Sequence, residues 1–415
     1  MSAAVIATAC CIAGGGPAGM MLGLLLARAG VDVVVLEKHA DFLRDFRGDT
    51  IHPSTMEIIH ELGWLDEFLR LPHQPVPRLV AQFGATPIAL ADFSHLPTRA
   101  KFVAMMPQWD FLNFLARKAS AYPTFHLIMQ GEALSLIERD GKIVGVRAAT
   151  LDGVVDVMAN LVVAADGRDS TLRAKSGLQV TELGAPMDAL WFRLSRRADD
   201  TDQSQGRFDA GRLFVMLNRG DYWQCAYVIP KGWNDRVRQA GLDAFRQSVG
   251  ALLPFEASRA NDITNWDQVK LLTVQVNRLK LWWRDGLLCI GDAAHAMSPV
   301  GGVGVNLAVQ DAVAAANILA EPLRARNVRP SDLTRVQRRR DWPTRVTQRL
   351  QLAIQNSVIA PAFAEKNNIQ PPFVLRALSR IPGLNRIPAR LMGIGVRPEH
   401  VMTPDTRSAG CRVQR

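Results

Sequence analysis

Val5-Ile6-Ala7-Thr8-Ala9-Cys10-Cys11-Ile12-Ala13 runs straight into Gly14-Gly15-Gly16-Pro17-Ala18-Gly19, and from there into the apolar stretch that ends at Arg28. The first stretch is small and apolar throughout and predicts a buried strand, and the stretch from Gly19 to Arg28, apolar on every side, predicts a helix enclosed in a core. Val31–Glu37 supplies a second strand, so the chain opens as a βαβ unit. The glycines between strand and helix have separate jobs. Gly14 permits the tight turn, Gly16 lets the backbone approach a pyrophosphate, and Gly19 allows close packing of helix on strand. Pro17 and Ala18 open the helix, whose free N–H groups and positive dipole end favour phosphate. Glu37 closes the second strand, where a carboxylate accepts hydrogen bonds from an adenosine ribose, and Lys38 follows it. The segment predicts a dinucleotide site.

The remainder of the 415 residues bounds that reading. With 48% hydrophobic and 21% charged residues, the composition excludes disordered and collagen-like classes. Five scattered cysteines (Cys10, Cys11, Cys225, Cys289, Cys411) suit a reducing compartment and offer no metal-ligand spacing, so no metal is expected. The first 27 residues carry no charge, but glycines interrupt the apolar run and no basic segment precedes it. A soluble, cytoplasmic protein without a membrane span is expected. The net charge of +10 is uneven, with 18 basic and only 5 acidic side chains in residues 324–415. Few aromatic residues interleave those arginines, so nucleic acid is not an expected partner.

Further along, Pro53–Leu62 and Gln108–Ser120 read as helices, and Phe125–Ile128, Ala133–Glu138 and Ile143–Ala149 as strands. Leu161–Ala165 is a short apolar strand that ends at Asp166-Gly167. Residues 186–280 change character, with strand-like segments at Ala189–Ser195, Arg212–Leu217, Tyr222–Ile229 and Val269–Val276. Leu287–Ile290 then returns to the apolar style and ends at Gly291-Asp292, before a long helix from Val303. The expected fold is an α/β, Rossmann-like domain that is discontinuous (1–73, 99–185 and 281–345). A mostly antiparallel β-sheet substrate domain (74–98 and 186–280) is inserted in it, and a basic helical segment (346–415) follows.

Three segments stand together in this order: Gly14–Gly19 with Glu37, Asp166-Gly167, and Gly291-Asp292 with Pro299-Val300-Gly301-Gly302-Val303-Gly304-Val305-Asn306. Jointly they resemble the class A flavoprotein monooxygenases of the para-hydroxybenzoate hydroxylase type, over about the first 345 residues. The resemblance implies non-covalent FAD, NAD(P)H as co-substrate, and O₂ delivered to an aromatic or phenol-like ring through a flavin C4a-hydroperoxide. It also implies roles. Asp292 would bind the ribityl chain, and the helix start at Pro299, Gly302, Gly304, Val305 and Asn306 would face the flavin pyrimidine. Asp166 would lie between FAD and the nicotinamide nucleotide. Arg47 would gate the meeting of flavin and NAD(P)H, Gln108 would contact the ribityl chain, and Ala133 would meet adenine. His295 is expected to pack the Gly291–His295 loop. No second dinucleotide fingerprint, halogenase signature or thioredoxin-like third domain occurs in the sequence.

Candidates for the substrate pocket are Trp191, Arg193, Tyr222, Trp223 and Gln224 on the expected strands of the second sheet. Asp49 and His52, which follow Arg47, are equally open, and neither has a spacing that fixes a general base. In the tail, Val346, Leu350, Ala353, Ile354 and Val358 mark a helical stripe expected to pack on the FAD domain, with Arg345 and Arg349 off it in solvent or at a contact between two copies. Two rival functions use the same fingerprints: an FAD-dependent reductase of a lipid-like substrate, and a non-catalytic flavin-binding protein. Uptake of O₂ linked to NAD(P)H separates the monooxygenase from the reductase, and absence of any turnover with intact FAD would favour the binding protein.

Overall fold

The computed structural model describes residues 4–43, 50–84, 86–209, 211–364, 371, 373, 375–376, 381 and 383–407. The opening unit forms as strand β1 (Ala4–Ala13), helix α1 (Pro17–Arg28) and strand β2 (Val33–Glu37). Ten of the twelve residues of α1 are buried, which explains why its sequence has no polar face. β1 lies parallel to β2 on one side and to Gly153–Ala164 on the other, with Leu287–Cys289 parallel beyond it and Phe125–Met129 outside β2. In register, Ala13 stands beside Leu36 and Ala164, and Ala164 beside Cys289. The carboxyl ends of these strands therefore deliver Gly14, Glu37, Asp166 and Gly291 to one edge of the sheet, where ligands of parallel α/β sheets bind.

The strand expected at Leu161–Ala165 is longer, Gly153–Ala164. It pairs parallel with β1 from Val155 to Ala164, while its first half also pairs antiparallel with Lys142–Thr150 and its last residues parallel with Leu287–Cys289, and its burial changes from mixed to complete along its length. A single periodicity does not describe such a strand, and the first half was missed for that reason.

The second sheet has seven strands. Its centre is β3 (Met187–Ser195), β4 (Arg212–Asn218) and β5 (Tyr222–Pro230), in the order β3-β5-β4, with Lys270–Leu272 outside β3. Gln205–Asp209, Arg78–Phe83 and Thr86–Asp92 extend the far side, so residues 78–92 do hydrogen-bond into this sheet. Gln74–Val76 instead pairs with Val103–Met105, beside Thr50–Ile51. Of the expected Val269–Val276 only Lys270–Leu272 forms a strand. The pairing is antiparallel except between Gln205–Asp209 and Arg78–Phe83.

One face of this sheet carries Leu190, Phe192, Leu194, Phe214, Met216, Trp223 and Cys225, packed against Phe245 and Val249 of the helix Leu242–Gly250. Trp223 therefore does not share a face with the other pocket candidates. Strand alternation separates it from Tyr222 and Gln224, and its Nε1 donates to Asp200 Oδ2 at 3.0 Å within that rear core. Trp191, Arg193, Tyr222 and Gln224 share the opposite face, through the pairs Arg193–Gln224 and Trp191–Ala226.

Helix α4 (Gly304–Arg324) packs against α1, as does α3 (Gln108–Ala119), and α2 (Pro53–Glu61) packs against α4. The stretch Val300–Arg324 is long and apolar enough to cross a membrane, but 83% of its most apolar window is buried inside the protein. Helix α5 (Pro330–Ile354) follows, so the expected segment boundary after residue 345 falls inside a helix. Its buried face also corrects the sequence expectation. Leu350 and Ala353 point outward, and the face turned inward carries Arg340, Thr344, Gln348 and Gln351, continued by Gln355. The cause is the partner surface, an irregular loop whose backbone carbonyls need donors. Gln348 Nε2 donates to Asn277 O and Ala296 O, and Gln351 Nε2 to Ser298 O and Val300 O, all within 2.8–3.1 Å. Arg345 and Arg349 are exposed as expected, Arg345 with Asp341 at 2.7 Å. Helix α6 (Arg386–Gly393) packs on Phe93 and Leu96, and the chain to Arg407 returns along α4 and α1.

Candidate active site

The site grows from the glycine loop after β1. Gly14 has φ +107°, and a Cβ there would stand 2.3 Å from Ala165 O. A Cβ on Gly19 would stand 1.9 Å from Gly14 O. Both glycines are required by the protein's own backbone. Gly16 is not, since a Cβ there meets nothing within 4 Å. Gly16 caps α1 without a side-chain hydrogen bond, and the first turn of α1 holds no acidic residue. A bare helix N-terminus behind an open glycine is the cradle a pyrophosphate fills, so this chain fits a dinucleotide. Pro17 and Ala18 form the first turn behind it.

Glu37 is buried at the end of β2, and its Oε2 accepts from Gly15 N–H at 3.0 Å. Its Oε1 accepts from His39 N–H at 3.0 Å and lies 2.6 Å from His39 Nδ1. The acid thus ties the two βα turns together. Lys38 beside it is exposed. Ala133 lies half-buried on Glu132–Arg139, paired with Ala148. Gln108 is buried in the first turn of α3.

Asp166 and Asp292 reach the same sheet edge with different occupations. Asp166 accepts from Ser170 Oγ and, at 3.1 Å, from Leu172 N–H, so it braces the turn into the helix Thr171–Ser176. Asp292 is held less tightly; its carboxylate is 30% exposed, with Arg168 Nη2 at 3.6 Å. Of the two, Asp292 keeps the freer oxygens for a ligand's hydroxyls.

The loop from Pro299 turns through Gly301 (φ +78°) and Gly302 (φ +62°) before α4 begins at Gly304. Thr50 Oγ1 donates to Gly302 O at 2.8 Å, and His52 Nε2 lies 3.1 Å from the same oxygen. Burial pushes the His52 imidazole down to about 4, so at neutral pH it is uncharged and donates from Nε2. That makes His52 a support under Gly302. Asn306 is buried too, and its Oδ1 accepts from Ser54 Oγ at 2.6 Å and Thr55 Oγ1 at 2.9 Å. Val305 fills the core between them. Arg47 and Asp49 lie outside the described residues.

His295 is 1% exposed, with Nε2 2.6 Å from Asp311 Oδ2 and its ring against Trp282. It packs the loop after Asp292. Sequence reasoning missed Thr50, Ser54, Thr55, Asp311 and the glutamines of α5; the one available signal was the polar spacing of Gln348, Gln351 and Gln355 on a single helical face.

On the front of the second sheet, Arg193 lies with Cζ 4.7 Å from the Tyr222 ring centre, and Gln224 is buried and accepts from Arg219 Nε at 3.0 Å. Val300 packs against an apolar cluster that includes Met187, Leu213 and Val228 of that sheet, which brings the Pro299–Gly302 loop up to the face carrying Trp191.

A protein-family model described as "FAD binding domain" matches residues 7–350. The chain belongs to this family of class A flavoprotein monooxygenases. The monooxygenase is 31% identical over 387 residues to 6-methylpretetramide 4-monooxygenase from Streptomyces rimosus, covering 92% of this chain and 91% of that one. It is also 31% identical over 313 residues to rifampicin monooxygenase from Streptomyces venezuelae, whose length it spans to 61%. Among solved structures, p-nitrophenol 4-monooxygenase from Pseudomonas putida shares the fold, with a TM-score of 0.74 at 20% identity over 93% of this chain and 97% of that one. FAD is the cofactor of the family, and the open Gly16 cradle is the feature of this molecule that fits it.

Proposed function

We propose that this monooxygenase uses NAD(P)H to hydroxylate a small aromatic, phenol-like substrate held against the front face of the second sheet. The observation that carries this reading is the meeting of that face with the Pro299–Gly302 loop through Val300. Aromatic relatives such as 6-methylpretetramide 4-monooxygenase support the substrate class.

Bound FAD supplies electron transfer from the nicotinamide and the activation of O₂. The protein's own residues bind, orient and exclude water. Gly14, Gly16, Pro17, Ala18 and Gly19 hold the pyrophosphate on α1, with Glu37 and Lys38 at the adenosine ribose and Ala133 at the adenine. Asp292 and Gln108 take the ribityl hydroxyls, and Asp166 stiffens the turn beside them. The turn at Pro299, Gly302, Gly304, Val305 and Asn306 aims backbone N–H groups and the positive end of α4 at the flavin pyrimidine, which stabilises negative charge there. Arg47 governs access of the nicotinamide, and Asp49 is a further candidate for contact with the substrate. Trp191 and Tyr222 form the flat wall for a ring, and Arg193 and Gln224 supply the polar contacts that orient it. Closing that wall over the reacting ring keeps water out, which protects the oxygen transfer from unproductive decay.

The test is a panel of phenols, nitrophenols and fused-ring phenolic compounds, scored for substrate-stimulated NAD(P)H oxidation coupled to a hydroxylated product. A Gln224→Leu variant should raise KM for the active compound with little change in FAD content. Stimulated oxidation by lipid-like alkenes alone, with saturated product, would replace this reading with the reductase.

A further inference from the structure

A cluster of buried charges sits directly behind the Gly291–His295 turn, on the side away from the cofactor edge. Its centre is Asp311 of α4, fully buried. Asp311 Oδ2 accepts from Gly291 N–H at 3.1 Å and lies 2.6 Å from His295 Nε2. Its other oxygen accepts from Arg340 Nε at 2.9 Å. Arg340, 1% exposed, donates onward through Nη1 to Arg397 O at 3.1 Å and Glu399 Oε1 at 3.2 Å, and Arg339 Nε holds that same Glu399 oxygen at 2.7 Å. Gln310, next to Asp311, accepts Glu399 N–H.

Every connection of Asp311 to the cofactor side passes through the turn that carries Asp292. Gly291 has φ +57° and its N–H would have no acceptor without Asp311. Burial raises the Asp311 carboxyl, but His295 and Arg340 outweigh it and hold the group ionised. One oxygen therefore shapes the loop while the other is anchored by α5 and the C-terminal stretch.

We propose that Asp311 is a positioning residue for FAD: it fixes the Gly291–Ala293 turn so that Asp292 meets the ribityl chain, and Arg340 with Glu399 makes the 397–399 stretch its anchor. This rests on the placement of Asp292 at the cofactor. Glu399 is a buried carboxylate on the same arginine, but its hydrogen bonds among the described residues run to Arg339, Arg340 and Gln310 rather than to the turn, so it separates a positioning role from a contribution to folding alone.

The experiment titrates apoprotein with FAD, following flavin fluorescence, and records the apoprotein melting temperature of each variant without cofactor. Asp311→Asn puts an amide donor where one of two accepting oxygens stood, and should weaken FAD binding at least tenfold. The double variant Asp311→Leu with Arg340→Met removes both charges together, strands no buried cation, and still leaves Gly291 N–H without an acceptor. It should show the same loss of FAD affinity even where its melting temperature is close to wild type. Glu399→Gln should lower the melting temperature while FAD affinity stays within threefold. The inference is overturned if the double variant binds FAD within threefold of wild type, or if affinity follows melting temperature equally in all three. Should the double variant not fold, Asp311→Asn against Glu399→Gln decides by the same criterion. Asp292→Ala runs beside them: unchanged FAD affinity there refutes the placement of Asp292 itself, whereas a loss there without a loss at Asp311 refutes only the positioning role.

Discussion

Two glycine turns each lead into a helix, and they are shaped in opposite ways. The Gly14–Gly19 turn is enforced by its immediate surroundings: Ala165 O closes over Gly14, and Gly14 O presses on Gly19. The Pro299–Gly304 turn is enforced from far along the chain, by Thr50 and His52 on Gly302 O, by Gln351 on Ser298 O and Val300 O, and by Met392 3.3 Å from where a Gly301 Cβ would stand. The first turn is a local property of one βαβ unit. The second is a tertiary property: Thr50 and His52, the α5 helix and Met392 of α6 all meet on it. In the placement proposed above, the adenosine end of FAD would meet a stiff local motif and its flavin end a turn that many distant residues can move.

The contrast can be broken or sharpened by substitution. Gly19→Ala should have the largest effect, because the obstructing atom is backbone and cannot yield. A loss of about 3 kcal/mol or more is expected, read by urea unfolding of apoprotein. If Gly19→Ala is tolerated without loss, the tight packing of α1 on its own turn is wrong.

The next effect is pH-dependent and belongs to the second turn. The folded-state value of His52 lies near 4 against an ordinary 6.5, so its neutral form favours the folded protein. That contribution is complete above about pH 6.5 and is lost as pH falls toward 4, amounting to about 3 kcal/mol at the low end. Stability measured against a His52→Gln variant should show this difference shrinking across that window. A difference independent of pH would contradict the buried neutral imidazole.

Smaller again is Gln351→Leu, which keeps the volume and leaves two carbonyls of the second turn without their donor; about 2 kcal/mol should be lost. Leu350→Gln, one residue away on the outward face, should stay within about 0.5 kcal/mol. Equal effects at the two positions would reverse the orientation of α5. The smallest change in stability is expected at Gly16. Gly16→Ala should leave apoprotein unfolding within about 0.5 kcal/mol of wild type, because the added methyl meets no protein atom. The same variant should bind FAD several-fold more weakly, and unaltered binding would show that Gly16 does not face the pyrophosphate.

The same contrast explains what the sequence makes legible. Gly14, Gly16, Gly19 and Glu37 sit within 24 residues, and strand, turn and helix are each specified where they occur. The two sheets and their separation were readable too, since the switch from continuous to alternating apolar runs marks them. The buried face of α5 was not. Hydrophobic periodicity assumes that a helix docks through apolar side chains, and here the surface it covers is a loop with carbonyls to satisfy, so Gln348, Gln351 and Gln355 turn inward while Leu350 turns out. Trp223 was misplaced for a related reason. Alternation puts it on the face opposite Tyr222 and Gln224, but it does not say which face holds a core and which a pocket.

The proposed transfer of oxygen from O₂ to an organic ring at the expense of NAD(P)H is open to isotope labelling. The purified protein, with FAD and with the panel compound that best stimulates NAD(P)H oxidation, is turned over under ¹⁸O₂ in ordinary water. One labelled oxygen atom is expected in the hydroxylated product, with NAD(P)H consumed in about equal amount when the compound fits. Label entering only from water, or product forming under argon, would contradict it.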